Sequence, residues 1–93
     1  MKAIWNNTII AESSNTKEIE GNIYFPPKDL KMKYFKKTWM KSVCYWKGLT
    51  SYYDIVINGK VNYNTAWYYL HPSPLARGIK NYVAFWNGVE IVA

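Results

Sequence analysis

The sequence predicts an all-β domain with one short helical turn, arranged as a single curled antiparallel sheet, a sandwich or a barrel-like closure. Three observations carry that expectation. Five Trp, nine Tyr and three Phe in 93 residues supply enough ring surface for a short chain to build a core from a few large side chains. Asn-Asn or Asn-Gly pairs stand between apolar runs at 6–7, 58–59 and 87–88, and such pairs tolerate the positive φ angles of tight hairpin turns. The runs between turns alternate or are rich in β-branched and aromatic residues, with turn signals returning about every 8–12 residues.

Taken in order, Ala3-Ile4-Trp5 and Thr8-Ile9-Ile10-Ala11 flank Asn6-Asn7 and form a first hairpin. Lys17-Glu18-Ile19-Glu20 leads through Gly21-Asn22 into Ile23-Tyr24-Phe25. Pro26-Pro27 then ends regular pairing by removing two backbone donors. Leu30, Met32 and Tyr34 alternate with Lys31 and Lys33, the period of a strand with one apolar and one charged face. Val43-Cys44-Tyr45-Trp46 meets Lys47-Gly48, after which residues 51–57 run to Asn58-Gly59, the strongest hairpin signal in the chain. On that strand Tyr53, Ile55 and Ile57 share a core face, and Tyr52, Asp54 and Val56 share the other. A short return strand, 60–62, precedes a separate strand at 65–70. Ser73 then caps a helical turn that Pro74 opens and Gly78 closes. Residues 82–86 and 89–92 make a last hairpin around Asn87-Gly88. The two ends echo each other, Ala3-Ile4-Trp5-Asn6-Asn7-Thr8 against Ala84-Phe85-Trp86-Asn87-Gly88-Val89, which places the terminal segments near one another.

Residues 1–93 form a single compact domain, because two halves of this length would each bury too little without staples. Cys44 is the only cysteine and His71 the only histidine, so neither an intrachain disulfide nor a Cys/His zinc site is expected. No metal and no cofactor are expected. No apolar run develops near the start or approaches membrane-spanning length, and a cytoplasmic protein with no membrane partner, monomeric or weakly dimeric, is the natural expectation.

Several of these segments resemble a known group. Cys44-Tyr45-Trp46-Lys47-Gly48, Ser51-Tyr52-Tyr53-Asp54, Ala66-Trp67-Tyr68-Tyr69 with Pro72 and Pro74, and Tyr82-Val83-Ala84-Phe85 look like the motif series of the small bacterial domain-of-unknown-function family numbered 427. Tyr24-Phe25-Pro26-Pro27 and the Trp5 hairpin fit as well, so the resemblance runs nearly end to end. It implies a mostly β single domain without an assigned biochemical role, catalogued under a nucleotidyltransferase-like name. Nucleotidyl transfer uses a divalent metal held by clustered carboxylates. Here Asp29 and Asp54 are the only aspartates, no Asp-x-Asp or Asp-x-Glu pair exists, and Glu18 with Glu20 lies in a polar strand. The glycines stand singly at turns and ends of elements rather than in a phosphate cradle. The residues therefore do not support the catalogue name.

Other catalytic arrangements are equally thin. Cys44 with His71 is the sole thiol and imidazole pair, and Cys44 between Val43 and Tyr45 reads as a buried apolar side chain. Ser51, His71 and Asp54 spell a triad only in composition. A binding role has more support. Trp46, Lys47, Tyr52, Asp54, Trp67 and Tyr69 are the candidate ligand residues, with rings as pocket walls and Lys47 and Asp54 orienting an unknown small molecule. The same pair carries the enzyme alternative. The structural alternative pairs Asp54 with Lys47, with Arg77 or with a tyrosine hydroxyl while the rings close the core.

Twelve basic residues oppose six acidic ones. Lys28, Lys31, Lys33, Lys36, Lys37, Lys41 and Lys47 crowd one segment whose single acid is Asp29. That segment fits a nucleic acid or acidic partner, and Lys33, Lys36, Lys37, Trp39 and Lys41 interleave charge with rings on which single-stranded bases stack. The alternative is a solvated strand face that keeps a sheet edge from pairing.

Overall fold

The turns decide the local pairing. In the computed structural model, which describes residues 1–93, Asn6 and Asn7 both adopt positive φ, 51° and 58°, and join strand β1 (Lys2–Trp5) to β2 (Thr8–Glu12). Asn58 and Gly59, at 50° and 77°, join β6 (Gly48–Ile57) to β7 (Lys60–Tyr68) in the same way. β3 (Lys17–Ile19) and β4 (Asn22–Tyr24) form a small hairpin whose turn residues are Glu20 and Gly21, one position earlier than the sequence suggested. β5 (Phe35–Cys44), β8 (Val83–Phe85) and β9 (Glu90–Val92) complete the set.

The strands build antiparallel sheets, none closed into a barrel: β2-β1-β9, β3-β4, and a four-stranded sheet β5-β6-β7-β8. Every helical segment is a short 3-10 turn, at Pro27–Asp29, Met32–Tyr34 and Pro74–Ile79. Single bridges join Phe25, just past β4, to Val83 of the four-stranded sheet and Ala11 of β2 to Leu30 in the connecting segment. The first extends the far edge of the four-stranded sheet toward β4, so β5 is its open edge.

Four expectations are corrected. The stretch from Leu30 to Tyr34 is not a strand: Met32–Tyr34 turns, with the Tyr34 amide donating to the Lys31 carbonyl at 3.0 Å, although Lys31 and Lys33 do face water. The segments expected at 60–62 and 65–70 are one strand that ends at Tyr68, bent where Asn64 takes φ 53° and its pairing with β6 slips. β8 and β9 do not pair with each other, because β8 adds to β7 and β9 to β1. The Asn87-Gly88 turn exists, with φ 54° and 93°, but Asn62 Nδ2 donates to the Asn87 carbonyl at 2.9 Å and holds it as a corner between sheets. The terminal strands accordingly lie side by side. Lastly, Ser73 is no side-chain cap, since its hydroxyl donates to the Trp46 carbonyl, and Gly78 lies within the 3-10 turn rather than ending it.

Alternation along the four-stranded sheet divides its side chains between two faces. One face buries Ile55, Ile57, Ala66, Tyr68, Val83 and Phe85 against Ala3, Ile10 and Ala11 of the β1-β2 hairpin, with Phe25 between them. Phe25 and Phe85 meet edge to face at 5.7 Å, and Tyr53 stacks on Tyr68 at 4.5 Å. Each fully buried Ile, Val or Phe among them contributes about 1.5–3 kcal/mol by leaving water. The opposite face carries Tyr24, Tyr69 and Ala84, closed at one end by Ala76 and Ile79 of the last 3-10 turn. At its other end it stays open.

Candidate functional site

The open face is a cleft of about 300 Å3. Strand geometry fills it in rows: Ser42 lies opposite Thr50 across β5-β6, Tyr52 opposite Trp67 across β6-β7, and Trp67 opposite Ala84 across β7-β8. Ala84 offers only a methyl group, so the floor beside Trp67 stays low. Tyr69, just past β7, continues the Trp67 face, and Cys44 ends the β5 row. Tyr24 and Asn22 of β4 form the facing wall, and Trp86 borders the cleft. Trp67 Nε1 donates to the Tyr24 hydroxyl at 3.3 Å with the rings edge to face, centroids 6.4 Å apart. The hydroxyls of Ser42 and Tyr52 share a 2.8 Å hydrogen bond at the rim.

Lys47 is the chemical centre of this cleft. Lys28, Lys31, Lys33, Lys36, Lys37 and Lys41 are exposed as anticipated, but Lys47 is only 5% exposed. Its position follows from the tight turn linking β5 to β6, where Gly48 adopts φ 110°. A Cβ at residue 48 would stand 3.4 Å from the His71 carbonyl oxygen, and the Ser73 amide donates to the Lys47 carbonyl at 3.0 Å. The turn is thus pressed under the loop that follows Tyr69, which drives the Lys47 side chain inward. Its ammonium lies 5.1 Å from the Trp46 ring centre and 5.7 Å from that of Tyr69, and donates to the Glu20 carboxylate.

The electrostatics follow from that setting. Burial works to lower the Lys47 pKa, but the Glu20 hydrogen bond and the neighbouring Tyr24, Tyr69 and Cys44 hold it above the ordinary lysine value. Lys47 is therefore a cation, not a free amine nucleophile. The Lys47 hydrogen bond holds the Glu20 carboxyl below its ordinary range. Burial pushes the Tyr69 phenol up, against Thr50 and Lys47, with Tyr24 and Cys44 adding to the rise.

Of the candidate ligand residues, Lys47, Tyr52, Trp67 and Tyr69 line the cleft together, and Trp46 supports the Lys47 ammonium from beside it. Asp54 does not line it. Its Oδ1 accepts the Asn64 amide at 2.7 Å, locking the β7 bend, so it meets neither Lys47, Arg77 nor a tyrosine hydroxyl. Cys44 is half-buried rather than buried, and the His71 side chain is exposed outside the cleft. Glu20 and Tyr24 are the residues that sequence reasoning missed. Tyr24 alternates with core-facing Phe25, which was a usable signal, but nothing local marks Glu20 as the partner of a lysine 27 positions away.

The remaining acids are dispersed. No three His, Cys, Asp or Glu side chains gather where they would hold a metal ion. The metal implied by a nucleotidyltransferase-like name has no matching donor set. No helix is long and apolar enough to cross a membrane.

Over residues 1–93 the sequence matches the family model described as a domain of unknown function (DUF427). No curated protein matches the chain.

Proposed function

We propose that this chain, which belongs to the DUF427 family, is a binding module for a small molecule with a flat apolar or aromatic body and an acidic group. One observation carries the reading: a buried ammonium stands among rings at the wall of an open cleft. Lysine is almost never fully buried without a reason, because desolvating the charge costs several kcal/mol. A neutral residue of similar length would fill the same space. Tyr52, Trp67 and Tyr69 provide walls for the flat body, and Lys47 is the anchor for its carboxylate or other acidic group. Glu20 holds the anchor in readiness. Its side chain is 54% exposed on a hairpin turn, so an incoming anion can displace it into water at little cost. A cytoplasmic, monomeric or weakly dimeric protein belongs to the same reading, and its free Cys44 suits a reducing compartment.

The test compares naphthoate with its neutral analogue naphthalenemethanol by isothermal titration calorimetry. Naphthoate is expected to bind at least about tenfold more tightly, a difference of about 1.4 kcal/mol. Lys47→Met should erase that preference, and Trp67→Leu should weaken both ligands. Equal affinity for acid and alcohol, or no binding of either, defeats the proposal.

A further inference from the structure

A second surface, separate from the cleft, involves strand β5, the open edge of the four-stranded sheet. Its pairing with β6 is regular at Lys36 and Lys37 and resumes at Lys41, but breaks between them. The break is built, not frayed. Thr38 Oγ1 donates to Asn64 Oδ1 at 2.9 Å and accepts the Met40 amide at 2.9 Å, while Asp54 Oδ1 holds the Asn64 backbone from the neighbouring strand. Bulges of this kind re-aim side chains. Here the result is that Trp39 stands 94% exposed, beside a shallow hollow of about 420 Å3 that Tyr63, itself 67% exposed, also borders. Exposing an indole between residues that interlocking hydrogen bonds hold in place has no value for the core.

We infer that this edge is a binding surface for single-stranded nucleic acid, with Trp39 as a stacking platform and Lys36, Lys37 and Lys41 pairing with phosphates. The charge is complementary: the chain carries a formal net charge of +6, and the lysines on either side of Trp39 are exposed. From Lys36 to Lys41 the strand covers roughly 15 Å, at about 3.3 Å per residue, long enough to follow a few nucleotides. A second copy of the chain adding to this edge is disfavoured, because a row of lysines would meet its own like and the bulge interrupts the ladder. An acidic polypeptide would use the lysines but has no need of a free indole face, whereas every base has one to stack on it.

The experiment measures fluorescence anisotropy of a labelled oligo-dT titrated with the full chain across a salt series. Binding is expected, with affinity falling steeply as salt rises. Trp39→Leu should weaken it about tenfold and Trp39→Phe much less, a distinction that a merely structural role would not produce. Lys36→Ala combined with Lys37→Ala should weaken it and lower the salt slope by about two. Lys60→Ala combined with Lys80→Ala removes the same charge from exposed positions elsewhere and should change affinity by less than about twofold. Failure to bind oligo-dT overturns the inference. So does equal weakening by the two lysine pairs, unchanged binding by Trp39→Leu, or equally tight binding of polyglutamate, which would assign the edge to an acidic protein.

Discussion

Replacing Lys47 by methionine separates the functional from the structural account of the buried ammonium. In the native protein, desolvation of the charge costs several kcal/mol. Against it stand the Glu20 hydrogen bond and two ring faces at 5.1 and 5.7 Å, each ring contributing about 1–2 kcal/mol in a partly dry setting. These contributions nearly cancel. Methionine keeps the length of the stem, and its thioether packs well on Trp46 and Tyr69. The carboxylate it abandons is already half in water and rehydrates. Lys47→Met should therefore lie within about 1 kcal/mol of the native stability, or be more stable by up to about 2 kcal/mol. Lys47→Ala, which also removes three buried methylenes, should lose about 2–3 kcal/mol at about 0.8 kcal/mol each. Glu20→Gln is the informative contrast, because it keeps the shape and an acceptor oxygen but removes the countercharge of the buried ammonium, so it should destabilise where Lys47→Met does not. Urea denaturation with a constant m-value reads all three as shifts in midpoint. A loss of more than about 3 kcal/mol in Lys47→Met would mean that the cation holds the fold together, and the argument for a ligand anchor would collapse.

Four other outcomes are expected. Because the Glu20 pKa is depressed, its contribution is present above the ordinary carboxylate value of 4.5 and is lost as pH falls through the folded-state value, so Glu20→Gln should show a shallower acid-side loss in a pH series of urea midpoints. Tyr53 and Tyr69 titrate above the ordinary phenol value of 10.0 and Lys47 above 10.5, so their contributions are full below those values and are lost as pH rises through the folded-state ones; tyrosinate absorbance should show a late-titrating fraction that vanishes in urea. Gly48→Ala should cost about 1–3 kcal/mol, since φ 110° is strained for any Cβ and the added methyl meets the His71 carbonyl, as thermal unfolding would register. Asp54→Ala should cost about 1–3 kcal/mol by leaving the Asn64 amide without its acceptor, and amide exchange at Asn64 should quicken.

Much of the site was legible because strands alternate strictly. Tyr52 on β6, and Trp67 with Tyr69 on and after β7, could be assigned to shared faces by counting in twos, and those residues do meet in the cleft. The Asn58-Gly59 hairpin, which sets that register, is written in local turn chemistry. Asp54 shows where counting fails. It follows Tyr52 on the same nominal face, but the β6-β7 register slips between Tyr53 and Ile55, and the carboxylate serves the Asn64 bend instead. Three residues of β7, Tyr63, Asn64 and Thr65, stand there against Asp54 alone, and only the pairing of both strands reveals it.

By itself, the sequence determined the all-β class, most of the turns, the inward face of Ile55 and Ile57, and a lysine-rich edge. Each of these depends on a residue and its near neighbours, through φ preference, period-two alternation or the cost of burying charge. The tertiary structure alone decided that β8 and β9 part company into different sheets, that Lys47 turns inward while its neighbours face water, and that Glu20 meets it. Those outcomes depend on contacts between residues far apart in the chain, where several partners offer similar local chemistry and the packing of the whole selects one.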